Sequence, residues 1–214
     1  MKLYTYYRSS AAYRVRIALN LKGLDYESVS KHFLRDGGEH RKPEFLEVNP
    51  QGLIPVLDDG GVIISQSLAI IEYLEETHPG TPLLPSAPAE RAQVRAMAQL
   101  IACDIHPLNN LRVLQYLKTE LKQDDISLSY WYQHWIAEGF AALEKLVQRH
   151  GKPGKTCYGQ QITMADVCLV PQVYNARRFN VDLAPYPALS AATQHLESLP
   201  AFAQAAPENQ PDAV

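Results

Sequence analysis

The sequence predicts a two-part fold: a mixed α/β unit over residues 1–79, a proline-rich connector over 80–88 and an all-helical unit over 89–214. Three observations carry this. Through His78, short β-favouring runs alternate with stretches of helical period, in the order strand–helix–strand–helix–strand–strand–helix. Pro79-Gly80-Thr81-Pro82-Leu83-Leu84-Pro85-Ser86-Ala87-Pro88 then interrupts both periods with an extended, stiff segment. Beyond it the pattern is helical throughout.

Lys2-Leu3-Tyr4-Thr5-Tyr6 is a strand of aromatic and β-branched residues with no breaker. After Ser9-Ser10 the period changes: Val15, Ala18 and Leu19 share a helical stripe that Ile17 and Leu21 extend, and Gly23 terminates it. Leu24, Tyr26 and Val29 mark a second strand up to Ser30. Residues 31–42, with Asp36-Gly37-Gly38, are polar and predict a mobile connection. Pro43-Glu44-Phe45-Leu46 is one helical turn, closed before the turn signals Asn49-Pro50 and Gln51-Gly52. Ile54-Pro55-Val56-Leu57 and Val62-Ile63-Ile64 flank Asp58-Asp59-Gly60-Gly61, a hairpin. From Ser65, Leu68, Ile71 and Leu74 are spaced for one buried helical face. This order resembles a thioredoxin fold, with a right-handed first crossover. The usual C-x-x-C is replaced at the helix start by Ser9-Ser10-Ala11-Ala12, so any thiol chemistry must come from a bound thiol.

In the second unit, residues 89–122 carry a long helical pattern that His106-Pro107 is expected to kink. Residues 127–149 form another helix with Trp131, Trp135, Phe140, Leu143 and Leu146 as core, followed by a loop over 151–159. Thr163-Met164-Ala165-Asp166, with Ile162 as staple, is a capping-box opening to a helix through Val167, Val170, Val173 and Tyr174; Pro171 should kink it. A last helix spans 187–199, and the end from Pro207 is expected to be loosely held.

Apolar residues make up 46% of the 214 residues and charged ones 20%, enough for a packed core without oligomerisation. A net charge of −3 gives no reason to expect nucleic acid or a membrane surface as partner. Cys103, Cys157 and Cys168 are distant and odd in number, and no metal-ligand spacing appears, which excludes a disulfide framework or a zinc site. The chain opens on a strand, without a charged-then-apolar leader, and has no run of membrane-spanning length. The cytoplasm is the expected compartment.

Two helix starts carry the candidate chemistry. Arg8, Ser9 and Ser10 precede the first helix, and Gln66-Ser67 opens the one after the hairpin. Unpaired N–H groups, the helix dipole and a hydroxyl together suit an anion at each. The same serines also serve as plain caps, and the two stretches alone leave both readings open. Pro55 opens a strand after a turn, where a cis bond would expose the Ile54 backbone. His40 reads from its polar surroundings as a solvent-exposed loop histidine. His106 and Asn110, four residues apart, are expected on one helical face, with Arg112 turned away. Arg177 and Arg178 complement a helix C-terminus.

The block Arg8-Ser9-Ser10-Ala11-Ala12-Tyr13-Arg14-Val15-Arg16-Ile17-Ala18-Leu19 resembles the signature of zeta-class glutathione transferases, the maleylacetoacetate isomerase family. It departs from that signature where the usual cysteine is Ala11 and the usual tryptophan is Tyr13. The resemblance extends over nearly the whole chain and implies the glutathione transferase fold, a homodimer and glutathione as cofactor. By family position, glutathione is contacted by Ser9, Ser10, Ala11, Ala12, Tyr13 and Arg14 at the first helix and by His40 at its glycyl end. The Ile54 main chain pairs with its cysteinyl unit, Gln66 and Ser67 hold its γ-glutamyl end, and His106, Asn110, Leu111 and Arg112 contact it from the helical unit. Arg8, Arg112 and Arg178 are implied to grip the carboxylates of a cis-diketo dicarboxylic acid, and Ser9 or Ser10 to stabilise the thiolate. The implied reaction is isomerisation of maleylacetoacetate to fumarylacetoacetate in tyrosine breakdown. The rivals are a maleylpyruvate isomerase, a general conjugating or dehalogenating transferase, and a non-catalytic binding protein with this fold. Keeping Arg8, Ser9, Ser10, Gln66 and Ser67 together speaks against the last.

Overall fold

The computed structural model describes residues 1–213, Asp36 by its backbone alone. The first unit follows the expected order: β1 (Lys2–Thr5), α1 (Ser10–Lys22), β2 (Glu27–Ser30), tight turns at Arg35–Gly37 and Glu39–Arg41, α2 (Pro43–Leu46), β3 (Val56–Asp59), β4 (Val62–Ser65) and α3 (Ser67–Thr77). The sheet order is β2-β1-β3-β4; β1 and β2 are parallel, and β3 runs antiparallel to both β1 and β4. Local chemistry sets the ends of α1. The Ser9 hydroxyl accepts from the Ala12 N–H at 3.2 Å. Gly23 closes the helix at φ 66°, a conformation that suits glycine, with the Leu24 N–H returning to the Leu19 carbonyl. One sheet face buries Leu3 and Leu57 against Val15 and Leu19 of α1 and Ile70 and Leu74 of α3. Burying each such side chain contributes about 1.5–3 kcal/mol.

The structure corrects the expected boundaries. The first unit extends through Leu83 and takes back the chain from Ser198 onward, so the helical unit covers 84–197 and not 89–214. Two sets of polar contacts explain this. Lys22 Nζ, its side chain only 2% exposed, pairs with Glu75 at 2.9 Å, and both Glu75 carboxylate oxygens accept from the Leu83 N–H. At the other end, α9 (Pro200–Ala205) lies against α1, where the wholly buried Arg16 donates from Nε to the Ala205 carbonyl at 3.0 Å. Asn20 reaches the Ala201 carbonyl at 2.9 Å. Past Pro207, expected to hang loose, Asp212 accepts from the Tyr7 N–H at 3.0 Å and from Ser30 Oγ at 2.8 Å.

The helical unit holds α4 (Pro88–Gln99), α5 (Leu111–Thr119), α6 (Asp125–His150), α7 (Met164–Arg178) and α8 (Pro187–Glu197). The expected single kinked helix over 89–122 is instead two helices separated by a wide π turn, Leu100–Ile105, and a tight turn, His106–Asn109. Pro107 has no N–H to continue the ladder, and Asn110 is extended (ψ 147°), its side chain accepting from the Arg112 N–H to start α5. His106 and Asn110 therefore do not share a helical face. The buried stripe of α6 is Tyr132, Ile136, Phe140, Leu143 and Val147; Trp131, Trp135 and Leu146 are only half-buried. Trp131 sits at the rim because its indole N–H needs an acceptor, the Leu108 carbonyl at 2.9 Å.

The capping box of α7 forms as the spacing required. The buried Asp166 carboxylate accepts from the Thr163 N–H at 2.7 Å and the Cys157 N–H at 2.6 Å. Burial pushes its carboxyl above the usual range, and those donors pull it back. The helix continues through Pro171. Glu144 of α6 accepts from the Ala188 and Leu189 N–H groups and so caps α8.

Removing the chain from Ser198 leaves a buried guanidinium short of an acceptor and takes away α9, with its wholly buried Phe202, from against α1. Such a truncation should cost at least about 3 kcal/mol in a urea unfolding curve followed by circular dichroism.

Candidate active site

The site builds from the N-termini of α1 and α3. Ser9 is the α1 cap and Ser10 its first residue; both are buried. Ser67, also buried, opens α3. A single side chain connects the two: Arg14, 1% exposed on the second turn of α1, donates from Nη1 to Ser67 Oγ at 3.3 Å. The two helix starts that the sequence marks as anion-suited therefore belong to one locality. No side chain among the described residues caps α3, so its first-turn N–H groups remain for another acceptor. The residue before it, Gln66, takes φ 71°, a conformation L side chains rarely adopt, and its amide donates to Gln51 Oε1 at 2.9 Å. Backbone of this kind costs about 1–3 kcal/mol and collects at functional sites.

Ile54-Pro55 is a cis peptide, and the preceding turn is fixed by Asn49, which donates to the Leu53 carbonyl at 2.8 Å and accepts from the Gln51 N–H. Ala12 is fully buried beneath the Ser9 cap, and Ala11 is half-exposed in the same helical turn. Tyr13 is buried with its ring 5.3 Å from the Arg16 guanidinium. Arg8 is exposed, its guanidinium 5.0 Å from the centre of the Tyr7 ring. The Tyr6 phenol is pushed up to about 12, chiefly by burial and then by Tyr7, so it stays neutral at working pH.

His40 departs from its expected solvent exposure. The connection carrying it is not featureless but folds into two tight turns, and the imidazole is 7% exposed with Phe33 edge-on at 4.7 Å. Gly38, at φ 100°, makes room: a Cβ there would fall 2.8 Å from His40 Cε1. The buried Nδ1 of His40 has no hydrogen-bond partner among the described residues. An unmet polar atom of that kind fits an external ligand.

In the helical unit, Asn110 caps α5, with Leu111 half-buried and Arg112 exposed in its first turn. His106 is half-buried in the tight turn, and the neighbouring Asn109, which the sequence did not single out, is buried and donates to the Tyr132 carbonyl at 3.2 Å. At the end of α7 the two arginines divide. Arg177 pairs with Glu197 at 2.6 Å, whereas Arg178 lies 5.5 Å from the Phe179 ring with no ion-pair partner among the described residues. Also unmarked by the sequence was His32, in the same polar stretch as His40, whose ring accepts from the Leu34 and Arg35 N–H groups.

Residues 3–82 match the family described as glutathione S-transferase, N-terminal domain. A Vibrio cholerae protein described as a probable maleylacetoacetate isomerase is 57% identical over 99% of this chain and 97% of its own length. The holo structure of a maleylpyruvate isomerase, described as a bacterial zeta-class glutathione S-transferase, has a TM-score of 0.96 at 46% identity, covering 100% of both chains. The chain belongs to the zeta class of glutathione transferases. A maleylacetoacetate isomerase from Methylobacterium extorquens AM1, with malonate and glutathione bound, is similar to this transferase at a TM-score of 0.94 and 40% identity, again over 100% of both chains. No helix among the described residues of the transferase is long and apolar enough to cross a membrane.

Burial holds the His40 imidazole of this transferase below the usual histidine range; the Arg41 charge adds to that, and a hydrogen bond with the His32 backbone opposes it. Between the folded value and 6.5 the unfolded chain binds the extra proton, so stability rises with pH through that window and falls on acidification. An NMR titration should place the His40 midpoint below 6.5, and His40→Gln should flatten the acid limb of the stability profile.

Proposed function

We propose that this protein catalyses the glutathione-dependent cis–trans isomerisation of maleylacetoacetate to fumarylacetoacetate, a step of tyrosine breakdown. The observation that carries the reading is the Arg14–Ser67 contact, which joins two anion-suited helix starts at a place where serine stands instead of a redox cysteine pair. The uncapped α3 fits the carboxylate of a γ-glutamyl end, and the unmet Nδ1 of buried His40 fits a second carboxylate once it takes a proton.

Bound glutathione supplies the thiolate that adds to the cis double bond and leaves once the bond has turned. The chain's task is to hold that sulfur ionised and the substrate aligned. Ser9 suits the first role, because its oxygen accepts from the Ala12 N–H while its own proton stays available to donate. With the α1 dipole behind it, such a donor lowers a thiol's pKa. Ser10 shares the helix start. Ser67, with the Arg14 guanidinium beside it, and Gln66 hold the γ-glutamyl end; the Ile54 main chain takes the cysteinyl unit and His40 the glycyl carboxylate. Ala11, Ala12 and Tyr13 shape the wall, and His106, Asn110, Leu111 and Arg112 supply further contacts. Arg8, Arg112 and Arg178 bind the substrate carboxylates, and Arg8 also steadies negative charge on the reacting carbonyl. Exposure of Arg8, Arg112 and Arg178, and the diversion of Arg177 into its pair with Glu197, support that choice. Maleylpyruvate is the second reading, favoured by the 46% identity to a maleylpyruvate isomerase. We place the protein in the cytoplasm as a homodimer; Val62 and Ile63, about half-exposed on the edge strand β4, are apolar surface in keeping with a partner copy.

Turnover of each cis-diketo acid should require glutathione, and the preferred acid is the one with the higher kcat/KM; equal rates without glutathione would refute the reading. Arg8→Ala or Arg178→Ala should raise KM for the diketo acid and leave glutathione affinity nearly unchanged. The expected loss in kcat/KM is roughly tenfold to a hundredfold, the scale of a charge-assisted contact. Lysine should restore only part of it, since it cannot grip a carboxylate with two prongs.

A further inference from the structure

His32 is 9% exposed, and its ring acts as a fastening. Nδ1 accepts from the Leu34 N–H and from the Arg35 N–H, each at 3.1 Å. Those are the donors two and three residues on, the pair that an Asn or Asp side chain captures when it opens a turn. A ring nitrogen that accepts carries no proton, so this imidazole is neutral with its hydrogen on Nε2. The same residue is held through its main chain. Its N–H donates to Glu39 Oε2 at 2.7 Å, and its carbonyl accepts from the Glu39 N–H at 2.9 Å. The His40 ring is hydrogen-bonded to the His32 backbone as well. The loop from Phe33 to His40 is thus pinned at one residue, and it carries His40 at its far end.

We propose that His32 is the positioning residue of this loop and makes glutathione binding acid-sensitive. A proton on Nδ1 turns an acceptor into a donor that faces two N–H groups. The first turn must then open, and His40 loses the wall formed by Phe33 and Gly38. Histidine is the side chain whose ordinary charge change falls between about pH 5 and pH 8. The groups around it are the Tyr6 ring at 4.8 Å, Tyr7 behind that ring, Lys31 and Arg35 beside it in the chain, Glu39, His40 and Arg41 from the second turn, and Asp212 from the chain end. Of these only His40 is a histidine, and its protonation would favour a bound carboxylate, so a loss of affinity in acid has the wrong sign to originate there. The inference rests on the reading that His40 holds the glycyl end of glutathione.

The test uses S-methylglutathione, which has no thiol to titrate, and calorimetry on the full chain at about pH 8 and about pH 5.5. Wild type should bind roughly tenfold more weakly at the lower pH, the scale of two lost hydrogen bonds. His32→Asn keeps an acceptor for both N–H groups and does not titrate, so its affinity should not fall between the higher and the lower pH. His32→Ala should be weak at both. A parallel loss in wild type and His32→Asn, or no loss in wild type, overturns the proposal. Amide exchange of Leu34 and Arg35 in ligand-free wild type needs no variant. Their protection, corrected for intrinsic rates, should fall as the pH is lowered, and unchanged protection overturns the proposal. Absence of S-methylglutathione binding at either pH would refute the glutathione reading instead, leaving the exchange measurement to decide on His32.

Discussion

A guanidinium sealed from water has to find acceptors for its N–H groups, and the first unit is arranged around meeting that demand for Arg16. Its Nε takes the Ala205 carbonyl at 3.0 Å, Nη1 the Thr5 hydroxyl at 3.2 Å, and Nη2 the Tyr7 carbonyl at 3.0 Å. One side chain thereby ties the end of β1, the turn that leads to Arg8 and Ser9, and the returning α9. An unmet buried charge costs several kcal/mol, so these attachments hold or fail together. The precision of the α1 start is thus set partly by residues at the opposite end of the chain.

That dependence explains which features the sequence revealed. Ser9 and Gly23 around α1, Thr163 and Asp166 at α7, and the turn between β3 and β4 were legible because each is decided within a few residues. The docking of α9 and Asp212 was not, since nothing between Pro200 and Asp212 announces that Arg16, Tyr7 and Ser30 need partners. The rotated face of α6 has a similar origin: Trp131 is apolar by composition, yet its N–H draws it to the Leu108 carbonyl. The break before α5 does have a local signature, Pro107 followed by Asn110, a stop signal and then a cap, but the apolar periodicity running across it masks the interruption. The burial of His40 was not legible either, because in a polar stretch it depends on Phe33 and Gly38 closing around the ring.

The candidate site mixes firmness with strain. Arg14 fixes α1 to the start of α3, while Gln66 holds an unfavourable backbone conformation immediately beside that contact. Glycine would relieve the strain but would lose the amide contact with Gln51. Retaining a costly conformation where N–H groups stand uncapped is the pattern expected of a binding position formed before its ligand arrives.

Ala11 has a consequence for life under oxidants. A thiol in the first turn of α1 would sit where the helix dipole favours its reactive, ionised form. Among the described residues, the sulfurs of this chain lie elsewhere: Cys157 and Cys168 are buried, and burial followed by the Asp166 charge pushes the Cys157 thiol well up. Cys103 alone is exposed, in the turn after α4. Peroxide or a disulfide would therefore find no ionised cysteine of the protein at the α1 start. Inhibition there would follow the oxidation state of the soluble thiol and reverse when that thiol is reduced again, with no lesion left on the polypeptide.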